Sequence, residues 1–134
     1  MAFGAEQRRL RGIMRPGEQI LASDLLHEVV EWPRLSRPPV LVVSDLAVYF
    51  LTSGREKGVL GIPFTNLKSV RRRSNTFQRD MQLVASDSDG SLTTVTCIFQ
   101  GRDRHGLTGD LITERFFGHV VKNTEGVPPT PFAT

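Results

Sequence analysis

The residues best placed to do chemistry in this chain are basic, and they fall into two groups. The segment Trp32-Pro33-Arg34-Leu35-Ser36-Arg37 sets two guanidinium groups beside an indole, and a later turn adds Arg55 and Lys57. Guanidinium groups clasp phosphate oxygens in pairs, and an indole next to a leucine can enter an apolar interface. Trp32, Arg34, Arg37, Arg55 and Lys57 are therefore candidates for contact with anionic head groups, at about 1 kcal/mol for each basic residue near an anionic surface. The plain alternative is that Trp32 covers core and the arginines are merely solvated. The second group is Lys68, Arg71, Arg72 and Arg73, with Arg79 nearby. In an extended strand Arg71 and Arg73 share one face and Arg72 takes the other. This run reads either as an edge strand protected by charge or as a contact for nucleic acid or an acidic protein. Apart from Phe77 no aromatic residue is interleaved with it, which disfavours a base-stacking platform.

The other reactive side chains form no constellation. His27, His105 and His119 are scattered, and no Cys or His pair has zinc spacing. Asp87-Ser88-Asp89-Gly90 has part of a calcium loop but lacks the glutamate that should close it. Cys97 sits between Val95 and Phe99 on one side of an alternating run and reads as a buried, inert thiol. No nucleophile elbow, phosphate loop or dinucleotide fingerprint is present. The expectation is a domain without metal or cofactor, and not an enzyme. An enzyme would need two or more titratable groups converging on a pocket.

The 134 residues suit one domain, and the formal net charge of +3 permits an anionic partner without demanding one. A lone cysteine fits a reducing, cytoplasmic setting. Residues 1–14 carry Arg8, Arg9 and Arg11 with no apolar stretch behind them, unlike a secretory leader. No apolar run approaches the ~18 residues of a membrane-spanning helix.

These groups must be positioned by short elements. Residues 3–14 form a helix with Phe3, Leu10, Ile13 and Met14 on one face, stopped at Pro16-Gly17. Residues 18–31 are extended although their period is mixed, since Leu25-Leu26 and Val29-Val30 also fit a helical stripe. The prolines of 32–39 mark a loop. Val40–Val43 and Leu46–Leu51 are the clearest strands, joined at Ser44-Asp45, and Val59–Ile62 continues the sheet. After an irregular turn at 63–67, Leu67 and Val70 point inward and Arg71-Arg72-Arg73 leaves the core. Met81, Leu83 and Ala85 define a half-buried strand, Asp87–Gly90 a hairpin turn and Thr93–Phe99 the return strand. Val40, Val42, Val48, Leu83 and Val95 are expected to line the interior. From Asp103, a candidate N-cap, to Lys122 the period turns helical, with Ile112, Phe116 and Val120 in line and Phe117 widening the stripe. Three units follow: a helical extension (1–15), a domain (16–122) and a disordered tail (123–134) holding Pro128, Pro129 and Pro131.

Three passages in this order resemble the pleckstrin-homology-like (PH-like) superfold, nearest its GRAM and small bacterial branches. They are Pro16-Gly17-Glu18, Val42-Val43-Ser44-Asp45-Leu46-Ala47-Val48-Tyr49-Phe50 and Ile62-Pro63-Phe64-Thr65-Asn66-Leu67-Lys68-Ser69-Val70. The resemblance implies a mainly β fold with α: a barrel of about seven antiparallel strands, plugged by the C-terminal amphipathic helix, with the short N-terminal helix as an addition. It also implies a binding or adaptor role, docking to an anionic membrane surface or to a protein partner. The loop Trp32–Pro39 then lies at the open end of the barrel. Lipid-binding members carry basic residues in the first two strands, whereas residues 20–30 here hold Asp24, His27 and Glu28 and no Lys or Arg. Members of the fold also take peptides along the groove between helix and sheet edge, where Leu107 and Leu111 would lie. Self-association through sheet edges is a further option, and a basic nucleic-acid contact is disfavoured. The location this implies is the cytoplasm, at most peripheral to a membrane.

Overall fold

The computed structural model describes residues 4–32, 37–52, 58–74, 79–100 and 105–124. A helix α1 (Gly4–Arg11) precedes seven strands, β1 (Ile20–Val29), β2 (Val40–Ser44), β3 (Ala47–Leu51), β4 (Val59–Pro63), β5 (Leu67–Ser74), β6 (Arg79–Ser86) and β7 (Leu92–Phe99). A 3-10 turn, Phe64–Asn66, links β4 to β5, and a helix α2 (His105–Thr124) ends the fold. Every strand pair is antiparallel, in the order β4-β3-β2-β1-β7-β6-β5.

The first strand explains its own mixed period. Residues Ile20 to Leu25 pair with β2, while Leu26 to Val29 pair with β7, and the register slips between Leu26 and Glu28. A bulge inserts one residue and resets the inward face. Leu26 and Val29, three apart in sequence, therefore enter the same core. The strand hands the sheet round a corner, and the helical reading of this segment is an echo of that slip.

Inside the curved sheet, Leu41, Val43, Val48, Phe50, Met81, Leu83, Val95 and Cys97 pack with Ile112 of α2. The α2 face that reaches this core is narrower than the sequence implies. Ile112 is buried and Phe116 half-buried, but Phe117 is 59% exposed, its ring tilted against Phe116 at 5.6 Å. The helix begins at His105 and runs to Thr124, two residues beyond the expected end. Asp103, the expected N-cap, and the tail from residue 125 lie outside the described residues.

One expectation is overturned. Val40 and Val42 do not line the barrel interior with Val48, Leu83 and Val95. They lie on the outer face of the sheet in a second core with Leu10, Ala47, Tyr49 and Leu51, against which Met14, Ile20 and Leu25 pack. Every residue of β2 is buried. An unbroken apolar run carries no phase, so alternation alone could not say which side faced in. The phase is set by α1, whose Leu10 is fully buried on that outer face. The expected apolar face of this helix is itself trimmed: Ile13 lies past its end and is 53% exposed.

Candidate functional site

Two sequence passages that look unrelated are joined in space. The chain turns at Pro16-Gly17, with Gly17 at φ 84° and the Glu18 N–H donating to the Arg15 carbonyl at 3.0 Å. This left-handed turn, which glycine adopts at no steric cost, aims the Glu18 carboxylate at the β2–β3 connection. Its Oε2 accepts the Tyr49 hydroxyl at 2.7 Å and the Ser44 hydroxyl, and its Oε1 accepts the Arg15 N–H at 2.9 Å. Ser44 Oγ in turn accepts the N–H groups of Leu46 and Ala47 at 3.1 and 3.0 Å, closing the tight turn at Asp45. Asp45 Oδ1 accepts the Gln19 N–H at 2.9 Å, and the Asp45 N–H donates to the Gln19 carbonyl at 3.0 Å. Pro-Gly-Glu and Ser-Asp thus form one clamp that ties the entry of β1 to the β2–β3 turn.

The clamp also tunes its two titratable groups. Burial pushes the Glu18 carboxyl up, but the hydrogen bonds from Ser44, Tyr49 and the Arg15 N–H outweigh it and leave the group below its ordinary value. Burial, with the neighbouring Glu18 carboxylate, pushes the Tyr49 phenol well above its ordinary value. The carboxylate is thus held ionised and the phenol neutral near neutral pH. The pair is built to stay charged and neutral respectively, which is what a structural clamp needs. Burial likewise pushes the Cys97 thiol up, away from the thiolate that nucleophilic attack requires. Among the described residues no group of three or more His, Cys, Asp or Glu could hold a metal ion.

Beside the clamp opens a cleft of about 550 Å³ between α2 and the β2–β3 and β4–β5 connections. Leu46, Ala47, Pro63, Phe64 and Leu111 supply its apolar lining, and Arg15, Glu18, Asp45, Glu114 and Arg115 its charges. Of this lining, sequence reasoning named only Leu111 as a groove residue, through the resemblance, and missed the rest. The signal was a second helical stripe, Leu111, Glu114, Arg115 and Gly118, spaced i, i+3, i+4, i+7 beside the core stripe.

Of the residues singled out from sequence, the structure describes Trp32, Arg37, Lys68, Arg71, Arg72 and Arg73. Trp32 is half-buried, with its ring edge-on to Phe50 at 6.4 Å and 81°, and it packs against the barrel core. Arg37 is exposed. Arg34, Arg55 and Lys57 lie outside the described residues. In β5, Lys68, Arg71 and Arg73 are exposed, while Arg72 takes the other face and bonds Asp110 of α2 at 2.7 Å. Gly109 makes room for it: a Cβ there would stand 2.9 Å from Arg72 Nε. Arg73 pairs across the sheet with the buried Asp80, at 3.1 Å. His27 is exposed, and the side chains of His105, Leu107, His119 and Val120 fall outside the described ones.

Seven antiparallel strands in this order, a C-terminal helix against the core and a short N-terminal helix make this a PH-like fold. A search of solved structures bears this out: the chain is similar to the "Vps36 N-terminal PH domain", with a TM-score of 0.61 and 14% identity over 81% of this chain and 86% of that one. No protein-family model and no curated protein matches the sequence, so the nearer likeness to the GRAM and bacterial branches has no support there. No helix among the described residues is long and apolar enough to cross a membrane.

Proposed function

We propose that this domain is a non-enzymatic adaptor that docks a protein partner rather than an anionic membrane, and that the partner enters the cleft beside α2. One observation carries this reading. The cleft has an apolar lining of Leu46, Ala47, Pro63, Phe64 and Leu111 and charges of both signs. An anionic bilayer is a surface of one sign and attracts clustered basic residues. A rim of both signs around an apolar centre matches a folded or extended polypeptide instead. Three of the described candidates already have partners within the domain. Trp32 rests on Phe50, and Arg72 and Arg73 are engaged with carboxylates.

The test has two arms. Flotation with neutral and anionic vesicles is expected to show no difference between lipids, for the parent or for Arg34→Glu/Arg37→Glu. Peptides selected from a random display library on the parent domain are expected to lose binding to Leu46→Asp, whose side chain is 41% exposed and whose fold is therefore spared. Anionic-specific flotation that the double Glu variant abolishes, with no peptide discriminating the two proteins, would overturn the proposal.

A further inference from the structure

The two end strands of the sheet are protected very differently. β5 carries Lys68, Arg71 and Arg73 in exposed positions, and Arg72 bridges it to α2 through Asp110. Charge and a covering helix are the usual means of keeping an edge from pairing with another chain. β4, reading Val59-Leu60-Gly61-Ile62-Pro63, has no charged residue at all.

The hydrogen-bond pattern shows which of its backbone groups are open. The Phe64 N–H donates to the Leu46 carbonyl at 3.1 Å, and the Thr52 N–H donates to the Gly58 carbonyl at 2.9 Å. In an antiparallel ladder, hydrogen-bonded and open pairs alternate. With Val48 opposite Ile62 and Phe50 opposite Leu60, the even-numbered residues of β4 point their N–H and C=O groups at β3. Val59, Gly61 and Pro63 point theirs away, where the sheet has no further strand among the described residues. Proline at the third position agrees with this phase, since it has no N–H to lose.

Beside this edge lies a slot of about 170 Å³. Leu60, Ile62, Ala85 and Val95 give it an apolar lining, Asp87 stands at its polar rim, and among the described residues no Lys or Arg lines it. Asp87 Oδ2 accepts the hydroxyls of Ser91 and Thr93 at 3.1 and 3.0 Å, which orients the carboxylate and leaves it acceptor capacity. An apolar lining with a carboxylate at the rim is complementary to one kind of side chain, an aliphatic stem ending in a cation.

Resting on the protein-docking reading above, we propose that β4 takes an extended segment of the partner as an eighth strand, with a Lys or Arg of that segment in the slot and its charge on Asp87. The open N–H and C=O groups of Val59 and Gly61 supply the pairing, and Asp87 selects the sign of the side chain. Pro63 lines both the slot and the cleft beside α2, so the two form neighbouring parts of one docking surface.

The probe is a capped synthetic peptide of about seven residues, the length of an ordinary strand, alternating Thr and Val with Lys at its centre. Its twin carries Glu at that position. Titrated into nitrogen-15-labelled protein, the Lys peptide is expected to shift the Val59 and Gly61 amides and slow their exchange with solvent. It should bind about threefold or more tightly than the Glu twin, and Asp87→Lys should reverse that order. Val59→Pro removes an outward N–H and no internal bond, so it should weaken binding about fivefold with thermal stability held. Equal binding of the two peptides, or unmoved β4 amides, would overturn the inference. Concentration-dependent shifts of those amides in protein alone would mean that a second copy covers the edge, and would overturn it too. Shifts confined to Leu111 and Arg115 would sink this inference and leave the docking cleft standing.

Discussion

At the residue scale the decisive group is Glu18. Its carboxylate holds the entry of β1, the serine of the β2–β3 turn and the Tyr49 hydroxyl together. Its pKa lies below the ordinary 4.5 in the folded state. The unfolded carboxyl binds its proton first as pH falls, so the contribution to stability is complete above 4.5 and is lost as pH drops through the folded value. Tyr49 acts with the opposite sign. Its folded pKa is raised above the ordinary 10.0, so its contribution is complete below pH 10.0 and is lost at higher pH. Thermal melts across pH should therefore show Glu18→Gln with a shallower acid limb than the parent. Tyr49→Phe should flatten the alkaline limb and cost about 1–2 kcal/mol at neutral pH, since it deletes a hydrogen bond to a charged acceptor. An acid limb unchanged in Glu18→Gln would show that the clamp contributes nothing.

At the element scale, α1 is the piece that sequence placed without a partner, and the structure seats it on the outside of β2 and β3. Without it, Val40 and Val42 would present apolar surface on the outside of the sheet. Leu10 makes the connection and is fully buried. Leu10→Ala is expected to cost about 2–4 kcal/mol in denaturant unfolding, by lost transfer energy and the void left over the valines. Ile13→Ala, in the same segment but 53% exposed, should change stability by less than about 0.5 kcal/mol. Equal effects from the two substitutions would mean that α1 does not dock. The same scale explains the second helix. One stripe, with Ile112 and Phe116, meets the barrel core, and the neighbouring stripe at Leu111, Glu114 and Arg115 faces the cleft.

At the scale of the whole molecule, the described sheet has a well-buried middle and one end strand, β4, without a charged residue. Opening free energies should follow that gradient. Native-state hydrogen exchange is expected to be slowest in β2, β3 and β7. In β4 it should alternate, with Leu60 and Ile62 protected by β3 and Val59 and Gly61 exchanging freely. Uniform protection along β4 would contradict the open phase derived for its odd residues. The distribution of charge belongs to this scale as well. Of the four basic residues in β5, Arg72 is taken up by α2 and Arg73 by Asp80. The run Arg71-Arg72-Arg73 is thus dispersed over two faces of the strand.

Local patterning determined a good deal by itself. Alternation in Met81–Ala85 and Val95–Phe99, the turn at Asp87–Gly90 and the apolar runs around Ser44-Asp45 place four of the strands to within a residue or two, because each signal is complete within a few neighbouring side chains. The three passages that suggested a PH-like barrel could be read because they encode turns and core contacts that any such barrel must make. Tertiary structure alone decided the phase of β2, the corner in β1 and which charges line the cleft beside α2. Val40-Leu41-Val42-Val43 is apolar at every step, so nothing short of the packing of α1 could say which side faced in. Nor does any local feature of Pro16-Gly17-Glu18 foretell that its carboxylate will meet Ser44 and Tyr49. Those contacts join residues 26 and 31 positions apart, and they exist only once the chain has closed on itself.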